Sequence, residues 1–242
     1  IRSMRADLAV TQARCLTSPY VIEQAGNGAE MLDTLYVNLE FYPGVVFLGG
    51  QNMIRFGLGS GMLFGAEDFR QTVDWDYLGG CLAEDFHLGG MLTPAQLGSM
   101  RLTTVPASRN WKEAIQHYLR WQKNIRWCRP GPFGAQLVVM PLLGWLAWVL
   151  MTPGESLPWL GLLTVLAADA IAALSICRVV GCRIGWRRLP TIPLWSFLRG
   201  FSWLACWFPW PIVWRGRKWW SPHQEVKPQA EVLGTQRQSR LD

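Results

Sequence analysis

NWKEAIQHYLRWQKNIRWCRPGPFGAQLVVMPLLGWLAWVLM, residues 110–151, passes without a break from a basic amphipathic pattern into a run with no charge at all. In its first part Asn110 stands three residues ahead of Glu113, the spacing of a helix-start capping box. Trp111, Ala114, Ile115, Tyr118, Leu119, Gln122 and Ile125 then share one helical stripe. His117, Arg120, Trp121 and Asn124 share a second, at i, i+3, i+4 and i+7. The second part, Phe133 to Met151, is an uncharged run of nineteen residues. At ~1.5 Å per residue this makes about 28 Å of helix, close to the ~30 Å hydrocarbon layer of a bilayer. Pro141 predicts a kink, which membrane helices tolerate.

Working outward, TPGESLP (residues 152–158) supplies a polar turn, and a second apolar run extends from Trp159 to Cys177 with Asp169 as its one charge. Two such runs predict a transmembrane helical hairpin. Arg120, Lys123, Arg126 and Arg129 precede it and Arg178, Arg183, Arg187 and Arg188 follow, while the turn has neither Lys nor Arg. The positive-inside rule then places both outer ends in the cytoplasm. Asp169 is expected to be protonated or hydrogen-bonded within the helix pair. Residues 189–214 are apolar but broken by Pro190, Pro193, Pro209 and Pro211, with Arg199 inside. Their five tryptophans (195, 203, 207, 210 and 214) favour the headgroup layer, so this part reads as an interfacial or re-entrant segment flanked by basic residues, Arg215 among them. The polar tail, residues 221–242, is expected to be disordered.

The same boundary divides the whole composition. Residues 1–110 carry 7 Arg/Lys against 11 Asp/Glu and residues 111–242 carry 16 against 6, and fourteen of the fifteen tryptophans follow residue 110. With 50% hydrophobic and 17% charged residues, the chain fits neither a disordered, a collagen-like nor a disulfide-scaffold protein, and not a plain soluble globule. Cys15, Cys81, Cys128, Cys177, Cys182 and Cys206 form no CxxC pair and have no His at zinc-like spacing, so no metal site is read from them. Arg2, Arg5 and Asp7 interrupt any signal-peptide pattern.

Residues 1–110 read as half of a mixed α/β domain. Met31, Leu32, Leu35, Tyr36 and Leu39 recur at helical intervals and predict a helix ending near Pro43–Gly44. GSGMLFG (59–65) reads as a glycine-rich turn entering a strand, and RLTTV (101–105) alternates as a strand does. Between them, LAEDFHLGG (82–90) sets Glu84 and Asp85 at a loop-to-helix junction. There the helix dipole keeps a carboxylate ionised, as a general base for a hydroxyl proton must be. On the helix of residues 110–129, a guanidinium beside an indole suits a diphosphate next to a stacked sugar or lipid head.

LAEDF, then His-x-x-Arg-Trp (His117–Trp121) some thirty residues later, then an apolar hairpin, together resemble the C-terminal half of membrane-bound family 2 glycosyltransferases. Within these the chain is similar to the ceramide glucosyltransferase branch, which includes hopanoid-associated glycosyltransferases. YVNLEFYP (36–43), the GSG ahead of MLF, RWCRP (126–130) and WRGRKW (214–219) add to the resemblance, which covers roughly residues 15–220. It implies a partial GT-A-like α/β domain over 1–108, an interface helix over 109–131, the hairpin within 132–181 and the basic Trp-rich segment over 182–220. It implies inverting transfer of a glucose-like sugar from a UDP-sugar to the hydroxyl of ceramide, a hopanoid or a similar lipid. The catalytic part would lie on the cytoplasmic face of a membrane, the bacterial inner membrane being the expected one. Asp85 would be the base supported by Glu84, with His117, Arg120 and Trp121 closing over the diphosphate and acceptor and Gly59 and Gly61 at the substrate site.

The family also uses Mg²⁺ or Mn²⁺ held by an earlier Asp-x-Asp at the end of an apolar strand. Asp74-Trp75-Asp76 spells that pattern in a polar stretch and reads as a loop coincidence. With Ile at position 1, this predicts a chain that lacks its donor-binding half and does not catalyse by itself. The competing reading is a non-catalytic membrane protein whose basic helix binds lipid or a protein partner. Nucleic acid is not an expected partner, because the arginines cluster beside apolar runs.

Overall fold

The computed structural model describes residues 2–214 and 216–224. Arg215 and the part of the expected tail from 225 onward lie outside the described residues. Five short strands form two small sheets in the first part of the chain: β1 (Cys15–Thr17), β2 (Tyr20–Ile22), β3 (Met62–Phe64), β4 (Ala95–Leu97) and β5 (Leu102–Thr104). β1 pairs antiparallel with β3 and parallel with β4, while β2 pairs parallel with β5. The helices of this part are α1 (Arg2–Val10), α2 (Gly28–Tyr36), α3 (Tyr42–Gly50), α4 (Ala66–Thr72), α5 (Trp75–Gly79) and α6 (Glu84–Met91). The expected strands at 62–64 and 102–104 are present, and α6 begins at Glu84.

The helix expected to end near Pro43 continues instead to Gly50 through a π-helical turn, Val37–Phe41. Pro43 has no N–H for the Leu39 carbonyl, so an unbroken α-helix would leave that acceptor unmet, and the wider turn accommodates it. Asn38 pins this turn to β2: its amide oxygen accepts from Ile22 N (3.0 Å) and its amide nitrogen donates to Ile22 O (2.8 Å).

After β5 comes α7 (Trp111–Cys128), started by Asn110, whose side chain accepts the Glu113 N–H. α2 starts the same way, from Asn27 onto Glu30 N. The two starts touch, since Asn27 Nδ2 donates to the Arg109 carbonyl at 3.3 Å. α2 and α7 therefore run side by side in the same direction, in register from their caps. Asp33 and His117 stand six and seven residues beyond those caps, roughly 9 and 10 Å along the two axes.

The uncharged run is bent at the expected proline, far enough to be a broken span or a re-entrant loop. α8 (Pro130–Ala135) and a 3₁₀ turn (Gln136–Val139) are bent 58° from α9 (Pro141–Met151). Met140, held off helical geometry by the proline after it, is the break. α10 (Ser156–Val179) has 24 residues, about 36 Å of helix, and is long and apolar enough to cross a membrane. α11 (Thr191–Ala205) packs on α10, α2, α7 and α9, and a hairpin of β6 (Ile212–Trp214) and β7 (Arg217–Trp219) follows.

One buried cluster draws Met31, Leu32 and Leu35 of α2 together with Ala114 of α7, Ala173 and Cys177 of α10 and Ile192 and Trp195 of α11. The soluble-looking and apolar parts thus share a core. Trp195 and Trp203, expected at the headgroups, are buried inside the protein. Their indole N–H groups donate to Glu40 Oε1 (3.0 Å) and to the Phe133 carbonyl (2.8 Å). Asp169 finds its partner outside the helix pair, in Arg199 of α11 at 3.6 Å. Residues 221–224 pack against the segment just before α6: Leu82 N donates to Pro222 O, and His223 bridges Cys81.

Candidate functional site

Between the sheets, α2–α3, α6 and α7 lies a cavity of about 610 Å³. Its polar wall carries Asp85 and Glu84 from the start of α6, Asp33 from α2, and His117, Arg120, Trp121 and Asn124 from one stripe of α7. All four members of the second α7 stripe thus line it. The first stripe is less uniform. Ala114, Tyr118 and Gln122 are buried as that pattern predicts, but Trp111 and Ile115 remain exposed near the start of α7.

Asp85 is held by geometry at its own helix start. Oδ2 accepts the Gly59 N–H at 2.7 Å and Oδ1 accepts the Phe86 N–H at 2.8 Å. Gly59 therefore belongs to the cavity as the donor that aims Asp85. Gly61 does not line it: its carbonyl accepts the Ser18 N–H, and a Cβ there would stand 2.6 Å from Leu102. α6 comes this close to the 56–59 loop because Gly89 has no side chain; a Cβ would stand 1.9 Å from the Gly57 nitrogen.

Arg120 is largely buried, its guanidinium 3.9 Å over the ring of Trp214. Sequence spacing suggested Trp121 as the neighbouring indole; the stacking partner comes instead from β6, ninety-odd residues on. Among the described residues Arg120 forms no salt bridge, and it lines the cavity. Burial lowers its pKa, while Tyr36, Asp33, Tyr20 and Glu84 favour the cation.

Three lining residues carry chemistry that sequence patterns did not single out. Asp33 is buried. Its Oδ2 accepts the Ala107 and Ser108 N–H groups, both at 2.9 Å, and its Oδ1 lies 2.8 Å from His117 Nδ1. Burial pushes its pKa upward, but the bonds from His117 and Ser108 outweigh that and hold it below the ordinary value. Glu40, on the π turn, accepts from Tyr118 (2.7 Å), Gln122 (2.9 Å) and Trp195 (3.0 Å). All three donors are neutral, and burial raises its carboxyl to about 7 despite the pull of Arg199. Tyr20 stacks obliquely on Phe41 with ring centres 4.5 Å apart, and its phenol pKa is raised by burial and then by Asp85 and Asp33. Asp33 lies beyond the edge of the apolar stripe of α2, so the spacing gave no sign of its burial.

The other half of the cavity is apolar. Val37, Phe41, Val45 and Leu48 line it on one side and Ile125 and Pro132 on the other. Next to it α3 exposes Val46 and Phe47, and the turn after α8 exposes Leu137, Val138 and Val139.

No group of three or more His, Cys, Asp or Glu side chains converges for a metal among the described residues. Asp74 caps α5 by accepting the Tyr77 N–H at 2.9 Å, and neither it nor Asp76 lines the cavity. The residues described do not build the expected Mg²⁺ or Mn²⁺ site, so no chemistry is assigned to a metal here.

A carboxylate, Asp85, and a cation, Arg120, thus line one cavity that has an apolar extension. The chain belongs to glycosyl transferase family 21, whose family model matches residues 1–221. This is a ceramide glucosyltransferase-like family, numbered 21 where the motif resemblance names family 2. No curated protein and no solved structure matches the chain.

Proposed function

We propose that this protein transfers a sugar from a UDP-sugar to the hydroxyl of a membrane lipid, such as ceramide or a hopanoid, with inversion. The observation that carries this reading is that Asp85 and Arg120 face the same cavity, which continues into an apolar half. Asp85 takes the proton of the lipid hydroxyl as its oxygen attacks the anomeric carbon. The bond from that carbon to the diphosphate breaks, and the nucleoside diphosphate leaves with the electron pair. Arg120 stabilises the charge that develops there, since its guanidinium is pre-oriented by Trp214 and forms no salt bridge among the described residues. Glu84 supports Asp85, Trp121 shapes the acceptor side, and the apolar half receives the start of the lipid chain.

In this reading α10 and the bent α8–α9 pair form a membrane hairpin, with the catalytic cavity on the cytoplasmic side. Its support is the length and apolar surface of α10, which exposes Leu160, Leu163 and Ile171, and the lack of Lys or Arg in the turn. Labelled UDP-glucose supplied to membranes that hold the full-length protein should yield a labelled lipid, and Asp85→Asn should abolish it with membrane insertion intact. Undiminished labelling by Asp85→Asn sinks the assignment of the base. The thiol of a Glu155→Cys variant should react with a membrane-impermeant reagent from the non-cytoplasmic side. Reaction from the cytoplasm overturns the topology.

A further inference from the structure

His117 has both ring nitrogens occupied within the protein. The Trp121 indole N–H can only donate, and it lies 2.7 Å from His117 Nε2, so Nε2 carries a lone pair. The ring proton is then on Nδ1, 2.8 Å from Asp33 Oδ1. Asp33 is fixed in turn by the Ala107 and Ser108 N–H groups in the loop that leads into α7. At the far end, the Trp121 ring is held edge-on by Tyr36 and Phe41, with centres 5.7 Å apart in each case.

Resting on the sugar-transfer reading, we propose that Asp33 is a positioning residue: it fixes the His117 tautomer, and His117 fixes the Trp121 indole in the cavity wall beside Arg120. His117 is accordingly an adapter with one donor and one acceptor, not a ligand of the diphosphate. Glutamine meets the same need, with its NH₂ toward Asp33 and its carbonyl toward Trp121. Asn at position 33 does not. Its carbonyl would be taken by the two backbone N–H groups, turning its NH₂ toward Nδ1. The ring proton would move to Nε2 and confront the Trp121 N–H, donor against donor.

The test uses the full-length protein with ¹⁵N-labelled histidine, whose ring shifts distinguish the two tautomers without reference to activity. The expected spectrum has His117 protonated on Nδ1 alone and unchanged when UDP-glucose is added. Protonation on Nε2, or a shift of that nitrogen on adding the nucleotide, overturns the proposal. In lipid-labelling assays, His117→Gln should stay within about threefold of wild type, while His117→Leu should fall tenfold or more. Asp33→Asn should fall similarly, with a displaced tautomer in a protein that still unfolds cooperatively. Equal loss in His117→Gln and His117→Leu overturns the adapter role. If Asp33→Asn does not fold, the wild-type spectrum and the Gln/Leu pair decide alone. The expected tautomer in a protein that labels no lipid leaves the relay standing and removes the sugar-transfer reading instead.

Discussion

The two parts of the molecule treat buried polar groups differently. Up to residue 110 the carboxylates are the buried or cavity-facing groups, as Asp33, Glu40 and Asp85 show; beyond it come the imidazole, phenol, amide and indole donors that answer Asp33 and Glu40. The bonds from the first three cross a seam between α2, with its π turn, and α7. A second contrast lies within that seam. Asp33 takes two backbone N–H bonds and an imidazole N–H and is held below its ordinary pKa; Glu40, two turns further along, takes three neutral donors in a buried spot and is raised to about 7. Burial raises both, and the donors decide the outcome. The first is kept ionised to hold a partner; the second is a group whose charge depends on pH near neutrality.

Four measurements press on these contrasts. The largest effect is expected at the base: Asp85→Asn should lower kcat by about 10²–10⁴, the span usual for loss of a general base. A smaller drop, measured as initial rate of lipid labelling, would demote Asp85 to a structural cap.

Next comes Glu40. A carboxyl at about 7 in the fold, against an ordinary 4.5, binds its proton more tightly when native than when unfolded. Its contribution therefore favours the fold most below about pH 4.5, declines between about 4.5 and 7, and is constant above that, by roughly 3 kcal/mol in all. The thermal midpoint of detergent-solubilised protein should fall from pH 5 to pH 8, and Glu40→Gln should flatten the slope. Equal slopes for both proteins would refute the assignment.

Arg120→Ala should cost roughly 1.5–3 kcal/mol in transition-state stabilisation, the worth of a charged hydrogen bond. The readout is kcat/KM for the nucleotide sugar; an unchanged value would leave the guanidinium as packing for Trp214. The smallest effect belongs to Asp74→Ala. Loss of a cap costs about 1 kcal/mol of stability, and transfer should be unaltered. Metal-dependent loss of activity in that variant would restore Asp74-Trp75-Asp76 as a cation site.

What could be read from the chain beforehand was whatever depends on neighbours in sequence. The Asn110–Glu113 cap, the start of α6 at Glu84 and the α7 stripe of His117, Arg120, Trp121 and Asn124 are set by spacing within one or two turns. What could not be read depends on distant partners. Arg120 meets Trp214 only because β6 folds back, and Glu40 gains its significance from Tyr118 and Trp195 on two other helices. Pro43 looked like a terminator because the usual rule treats a lost bond as the end of a helix. The π turn absorbs that loss, and Asn38 anchors the turn to β2. Trp195 and Trp203 had the composition of headgroup anchors, but each found an acceptor inside the protein.

The position of Trp214 on β6 has a consequence for biosynthesis. Among the described residues it is the most C-terminal one of the cavity wall, and a ribosome makes it after the whole of α8, α9 and α10. A nascent chain cannot stack Arg120 until those apolar helices have left the exit tunnel. This wall of the cavity is therefore completed after the apolar helices have emerged, and truncation anywhere before residue 214 leaves it open.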